Sequence, residues 1–353
     1  MIPKITIIHE YGAPRHFLAL YYLQKEGFIE EIQSIEFNIP MQIASGIKYF
    51  NKTKFPRALY NIKELSKLIF KKDQVLIIGA APFDPIIPFL QNLKQKNKSI
   101  YFTSWPFWNG ERGAKQPLLS KQKDAWHDFL MGSISVGVTE AACKGVESHG
   151  SQAFHIPHAV DTQIFKPYLT NSEKTVVLFV GNLIYRKGIS ILLDVIRGTK
   201  WPNNTEFWFV GDGPFKAQVT MMEKNYPVRY TGYISDDEKL AAIYRQADIF
   251  VFPSIDGKGI ENFGIALIEA MASGLPVVTT DCVGPKEIVN NYYDGYVIPQ
   301  KNKKLLREKL INLIENPDLR VTMSKNGRKK AEEVYNVKRI AKKWKTVIKL
   351  IME

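Results

Sequence analysis

Two glutamates eight positions apart, Glu261 and Glu269, bracket the run Asn262-Phe263-Gly264 where a helix begins to read out of the sequence. If helical rise holds throughout, the two carboxylates stand about 12 Å apart, too far to act as acid and base on one bond. They suit opposite ends of a long, hydroxyl-rich ligand. A nucleotide-sugar has that form, with hexose hydroxyls at one end, ribose hydroxyls at the other and a diphosphate between. Backbone N–H groups near Phe263 and Gly264 would accept a phosphate or sugar oxygen, and a glycine admits close approach. A dipole-favoured glutamate followed by an ordinary helical one explains the spacing equally well, so spacing alone leaves both readings open.

The elements around this run decide where it lies. It follows a strand ending at Pro253-Ser254, and its helix, through Ala270-Met271-Ala272, stops at Gly274 before Pro276. That places it at the carboxyl end of a parallel strand, where open α/β sheets bind ligands. Short continuous apolar runs recur along the chain: Ile5–Ile8, Val75–Ile78, Ile100–Thr103 and Val136–Val138, then Val176–Val180, Phe207–Val210, Val228–Thr231, Ile249–Phe252 and Val277–Thr279. Helical patterns separate them, as in parallel sheets covered on both faces. The polar stretch Thr170 to Lys174 reads as a linker, giving expected domains at 1–167 and 168–335. From 336 to 353 apolar residues recur every three or four positions, Val337, Ile340, Ala341, Trp344, Val347, Ile348 and Ile351. This predicts an amphipathic helix that docks on the first domain or lies on a membrane.

At 353 residues the chain suits two domains, and 45% apolar with 24% charged residues excludes disorder and fibrous repeats. No apolar run is long enough for a transmembrane span or a signal peptide, and two cysteines, Cys143 and Cys282, give neither a disulfide framework nor metal spacing. The expectation is a cytoplasmic protein with buried packing cysteines. A formal charge of +13 favours an anionic partner: nucleotide, nucleic acid or phospholipid. Residues 41–72 hold eight of the cations, among them Lys48, Lys52, Lys54 and Arg57, against the single acid Glu64, interleaved with aromatic and aliphatic residues. This segment either lies on the inner face of an anionic membrane or builds the first domain's core with its lysines in water. No zinc-finger, RRM or helix-turn-helix pattern supports nucleic acid.

The stretch from Glu261 to Glu269, continued by Ala270-Met271-Ala272-Ser273-Gly274-Leu275-Pro276-Val277-Val278, resembles the donor signature of retaining GT-B glycosyltransferases of family 4. Weaker likenesses follow the family's order: Val138-Thr139-Glu140, Ile156 to Asp161, Phe179-Val180-Gly181-Asn182-Leu183 with Lys187-Gly188, and Val210-Gly211-Asp212-Gly213-Pro214. The likeness is good over residues 135–300 and poor before them. It implies two Rossmann-like doubly wound domains facing a cleft, with Glu269 on the ribose, Glu261 on the donor sugar, and the Asn262, Phe263 and Gly264 backbone on sugar and diphosphate. Lys187 would neutralise the leaving diphosphate, so Lys187 and Glu261 are the catalytic candidates, and Tyr233-Ile234 occupy the loop that holds the base.

The sequence departs from the family in three places. Asn182 stands where an arginine is common, which makes Arg186 the candidate second cation. The N-terminal glycine pair becomes Gly12-Ala13, leaving Gly12 for the phosphate. The expected histidine after a strand of the first domain is missing from Thr103 to Asn109, where Trp105 offers an aromatic floor. Arg15 and His16 are acceptor-side candidates. His158 takes no role, Asp236-Asp237 reads as a helix start after Ser235, and no metal or cofactor is implied. The expected activity is retaining, metal-independent transfer to a glycan or lipid-linked acceptor in cell-surface polysaccharide or glycolipid synthesis. The alternatives are a GT-B epimerase or phosphorylase, or a non-enzymatic binder of anionic polymers.

Overall fold

A computed structural model of the chain describes residues 2–10, 14–38, 54–72, 74–108, 120–168, 173–257 and 259–353. The chain divides into two units, 1–158 with 340–353, and 159–339.

In the first unit six parallel strands, β1 (Lys4–His9), β2 (Glu31–Glu36), β3 (Val75–Gly79), β4 (Lys98–Thr103), β5 (Ile134–Gly137) and β6 (Gln152–His155), lie in the order β2-β1-β3-β4-β5-β6. Helices α1 (Leu18–Lys25), α2 (Lys54–Leu68), α3 (Ile87–Lys96), α4 (Ser120–Leu130) and α5 (Glu140–Glu147) connect them. The core joins Ile8, Leu76 and Ile78 to Leu90, Trp126 and Phe129. The strand order reverses between β1 and β3, as in flavodoxin-like sheets.

The second unit repeats the architecture with β7 (Thr175–Val180), β8 (Thr205–Val210), β9 (Val228–Gly232), β10 (Ile249–Phe252), β11 (Val277–Thr280) and β12 (Gly295–Ile298), in the order β12-β11-β10-β7-β8-β9. This is the dinucleotide-fold order, and its reversal falls between β7 and β10. Its helices are α6 (Ile189–Arg197), α7 (Lys216–Met222), α8 (Asp237–Tyr244), α9 (Ile265–Ala272), α10 (Val283–Ile288), α11 (Lys303–Glu315) and α12 (Pro317–Lys330). The cap of α8 is Asp236, whose carboxylate accepts the Lys239 amide at 2.8 Å, rather than Ser235.

The expected boundary at 167/168 is displaced to 158/159. Val160 explains the shift: its amide donates to the Tyr335 carbonyl at 2.9 Å and its carbonyl accepts from Val337 at 3.0 Å. Arg328 adds hydrogen bonds to the carbonyls of Thr162 and Phe165, so this segment is fastened within the second unit. The C-terminal helix α13 (Val337–Met352) belongs to the first unit from Ile340 onward. There Trp344 packs on Phe102, with ring centres 6.2 Å apart, and the Lys345 ammonium stands 4.7 Å from the Phe28 ring. Of the basic segment 41–72, residues 41–53 lie outside the described residues, and from 54 it forms α2. Its inward face puts Leu68 in the first unit's core, with Leu65 packed against it, beside buried Asn61 and Glu64, while Leu59, Tyr60 and Phe70 are exposed, so the segment builds that core only in part.

Candidate functional site

The carboxyl ends of β7, β10 and β11 meet around Glu261. After β7 the chain turns through a 3-10 segment, Tyr185–Lys187. After β10 the described residues 253–257 and 259–264 are neither helix nor strand, and α9 starts at Ile265. The two loops are stitched by the Ile255 amide donating to the Arg186 carbonyl at 2.8 Å. Gly188 makes this approach possible: its φ is 69°, and a β-carbon there would sit 1.9 Å from the Pro253 carbonyl oxygen. The site therefore forms at the second sheet's switch point, where a doubly wound sheet opens to ligands.

One oxygen of Glu261 collects three donors. The Lys187 ammonium lies at 2.5 Å, the Arg186 guanidinium at 2.9 Å and the Ser254 hydroxyl at 3.2 Å. Arg186 also donates to the Ile260 carbonyl at 3.1 Å. Lys187 rests over the Phe252 ring, 4.4 Å from its centre, a cation–π contact on the last residue of β10. Burial depresses the Lys187 pKa, against the pull of Glu261 and with the push of Arg186. Burial alone would raise the Glu261 carboxyl, yet Lys187 and Arg186, with hydrogen bonds from Lys187 and Ser254, hold it below its ordinary value. The result is a buried carboxylate compensated by two cations.

Several residues that sequence reasoning missed hold this carboxylate in place. Asp256 accepts the Glu261 amide at 3.2 Å and is itself gripped by Gln300, whose Nε2 donates to it at 3.2 Å and whose Oε1 accepts the Asp256 amide at 2.7 Å. The hydroxyl of Thr280, the last residue of β11, and the thiol of Cys282, just before α10, both donate to the Ser254 carbonyl. The Gly284 amide donates to the Glu261 carbonyl at 3.0 Å, and a β-carbon on Gly284 would fall 2.3 Å from the Phe263 nitrogen. A glycine one residue into a helix carries no local signal of such a contact.

Glu269 is buried on α9 and accepts the Tyr244 hydroxyl at 3.0 Å. Helical rise does not hold from Glu261 to Glu269 as expected, because Glu261 to Gly264 is loop and Gly264 is left-handed at φ 107°. Asn262 is half-buried and Phe263 buried beside Tyr335. Tyr233, directly after β9, is 71% exposed and Ile234 half-buried, both at the strand end expected for the base.

Residues 160–330 match the family model described as glycosyl transferases group 1. The whole chain superposes on HepE from Anabaena, solved in complex with UDP and glucose, at a TM-score of 0.70 and 16% identity, over 98% of this chain and 99% of that one. It superposes on sucrose-phosphate synthase from Thermosynechococcus elongatus at 0.73 and 17% identity, over 99% of each. The fold is GT-B.

Sequence relatives of this GT-B chain include phosphatidyl-myo-inositol mannosyltransferase of Mycobacterium leprae, 32% identical over 55% of this chain and 53% of that protein. Another is N,N'-diacetylbacillosaminyl-diphospho-undecaprenol alpha-1,3-N-acetylgalactosaminyltransferase of Campylobacter jejuni, 30% identical over 53% of this chain and 49% of that protein. The chain thus matches about half the length of these curated relatives.

In the first unit of the GT-B chain, the Gly12 phosphate candidate lies outside the described residues. Arg15 and His16 belong to the 3-10 turn Pro14–Phe17. His16 does not stand alone as the sequence suggested: its ring centre is 4.6 Å from that of His158 and 5.8 Å from that of His9. The His158 Nδ1–H donates to the His16 carbonyl at 3.2 Å. Burial, with the neighbouring His158 and His9, pushes His16 down to about 2, and burial pushes His158 down to about 4. His16 and His158 are thereby held as neutral imidazoles. From β4 it is Phe102, not Trp105, that reaches this cluster, 6.0 Å from His158. Trp105 is half-buried, its amide donating to the Thr103 hydroxyl at 3.0 Å.

Proposed function

We propose that the chain is a glycosyltransferase of family 4 type, moving a sugar from a nucleotide-sugar to a glycan or lipid-linked acceptor, with retention and without a divalent metal. The observation that carries this reading is the pairing of Arg186 and Lys187 on buried Glu261 at the second sheet's switch point. As the bond from the anomeric carbon to the diphosphate breaks, negative charge grows on the departing oxygen. A fixed ammonium, a guanidinium and the first amides of α9 stabilise that charge in a site already shielded from water. A diphosphate entering beside Lys187 and Arg186 competes with Glu261 for them and leaves Glu261 to hold donor-sugar hydroxyls. Glu269 takes the ribose, and Tyr233 and Ile234 the base.

Retention follows if the acceptor oxygen bonds to the anomeric carbon on the face the diphosphate leaves, its proton passing to the leaving phosphate oxygen. No enzyme base is then required, and no cofactor beyond the donor. The family match over residues 160–330 and the names of the relatives support transfer. The acceptors in those names support a lipid-linked substrate. HepE's complex with UDP makes uridine diphosphate the first nucleotide to test.

A thermal-shift series with nucleoside diphosphates, followed by a transfer assay in excess chelator, tests the reading. A ligand at a hundred times its Kd adds about 2.7 kcal/mol to apparent stability, so the cognate nucleotide should raise Tm clearly. No shift with any nucleoside diphosphate would remove the donor site. Loss of transfer in chelator, restored by magnesium or manganese, would remove metal independence.

A further inference from the structure

Trp108, beyond the end of β4, is 3% exposed, and its indole Nε1 donates to no acceptor. Four rings fix it there: His149, Trp126, Phe83 and Tyr101, with centres 5.2, 5.6, 6.0 and 6.0 Å away. The indole cannot swing to another acceptor without undoing that packing. A buried donor with no partner gives up its bonds to water and regains nothing, so in a native protein it has a reason. Gly145, in the last turn of α5, points to one. A β-carbon there would lie 2.8 Å from the indole Cδ1, 3.1 Å from Nε1 and 3.0 Å from the Pro106 carbonyl oxygen. Beside this bare backbone opens a pocket of about 220 Å³, with Phe107 and Trp108 on one side and Lys144, Gly145 and Ser148 on the other. Pockets for drug-sized ligands run to roughly 300–1,000 Å³, so this one suits a smaller molecule.

Charge and hydrogen bonding set the class of that molecule. On a 3.6-residue period Ala141, Lys144, Gly145 and Ser148 form one stripe of α5, and the helix's two acids, Glu140 and Glu147, fall outside it. Among the described residues no carboxylate is paired with Lys144. The carbonyls that end the helix are already taken. That of Lys144 accepts the Ser148 amide at 3.1 Å, and that of Gly145 accepts the Ser148 hydroxyl at 2.8 Å and His149 Nδ1–H at 3.2 Å. The pocket therefore presents an ammonium and an indole N–H, donors that suit an oxyanion. The Pro106 carbonyl beside them suits a hydroxyl on the same molecule.

We propose that this pocket binds a small hydroxylated oxyanion, a polyol phosphate or a hydroxy acid, between Lys144 and the Trp108 indole. Nε1 is covered as the pocket stands, so half-buried Phe107 gives way as the oxygen arrives. The site lies within the first unit and goes beyond the transferase reading, and its test needs no donor or acceptor.

The full chain is labelled with heavy nitrogen at its tryptophans, which gives six indole N–H signals by NMR. Trp108→Phe identifies its signal by deletion and keeps a ring in the cluster. Should that variant fail to fold, replacing the other tryptophans one at a time identifies the signal by elimination. The wild type is titrated with glycerol 3-phosphate, glycerate, glycerol and sodium chloride at matched ionic strength. One or both oxyanions should move the Trp108 proton downfield and saturate, the tighter of the two showing whether phosphate or carboxylate is preferred, while glycerol and chloride leave it in place. Lys144 is exposed, so Lys144→Ala should keep the wild-type melting curve and weaken binding by about tenfold or more. A Trp108 signal unmoved by either oxyanion at millimolar concentration overturns the proposal. So does an equal response to chloride, or an affinity unchanged in Lys144→Ala. No outcome touches the transferase reading, which stands or falls on nucleotide binding.

Discussion

At Lys187 burial and charge pull in opposite directions: desolvation favours the neutral amine, and the Glu261 carboxylate opposes it. The side chain is 13% exposed and every polar neighbour described here is part of the same cluster. On the proposed mechanism, removing it takes one cation from the leaving group, and it leaves Glu261 to Arg186 and Ser254. Lys187→Ala should lower turnover by about 10²–10³, as removal of one transition-state donor does elsewhere, with the fold intact by circular dichroism. Rates within a few-fold of wild type at low and saturating donor would exclude Lys187 from the chemistry. The histidines make a separate prediction about stability. Because His16 and His158 are held neutral down to about 2 and about 4, the unfolded chain takes up protons near its ordinary value of 6.5 that the folded chain refuses. Their contribution is complete above about pH 6.5 and is lost progressively as pH falls towards these folded values. Urea titrations from neutral pH to about pH 4.5 should show a falling midpoint, and His16→Asn should flatten the slope whatever it does to the intercept. An unchanged slope would mean the cluster opens before it titrates.

At the scale of elements, the site depends on backbone approaches that only glycine permits. Gly188→Ala combines a left-handed backbone with a β-carbon 1.9 Å from the Pro253 carbonyl, and should cost at least about 2 kcal/mol. Gly27→Ala is the matched comparison: φ is 75° but nothing lies within 4 Å, so only about 1 kcal/mol is expected. Denaturant midpoints decide the matter, and equal costs at both sites would mean the two loops separate easily. The same contrast explains what the sequence could disclose. Interior strands such as Ile249–Phe252 and Val176–Val180 are continuous apolar runs because both faces are covered. The strands that escaped reading, Glu31–Glu36, Gln152–His155 and Gly295–Ile298, are all sheet edges, paired on one side only. Glu261 and Glu269 stood out because they fall in one long motif with its flanking turns, and Lys187 because it precedes Gly188 in a separate short likeness. Asp256, Gln300 and Gly284 were not, since their partners depend on three strand ends meeting in space, which no local period encodes.

Each of the two units is built on a six-stranded parallel sheet. Five of the second unit's six strands could be read and four of the first's, where His16 was a candidate but its neighbours His9, from β1, and His158, after β6, were not. The boundary was misplaced because polar composition marks exposure, and residues 159–168 are instead fastened by Val160 and Arg328. Each unit also carries a single cysteine, Cys143 in the first and Cys282 in the second, both buried. Burial pushes the Cys282 thiol up to about 12, so it reacts with a thiol reagent only when its surroundings open. The protein therefore contains two native chemical clocks, one per unit. Slower labelling of Cys282 in saturating UDP, with Cys143 labelling unchanged, would time the opening of the loop around Glu261 without any added probe. Equal slowing of both would show that the nucleotide steadies the entire chain.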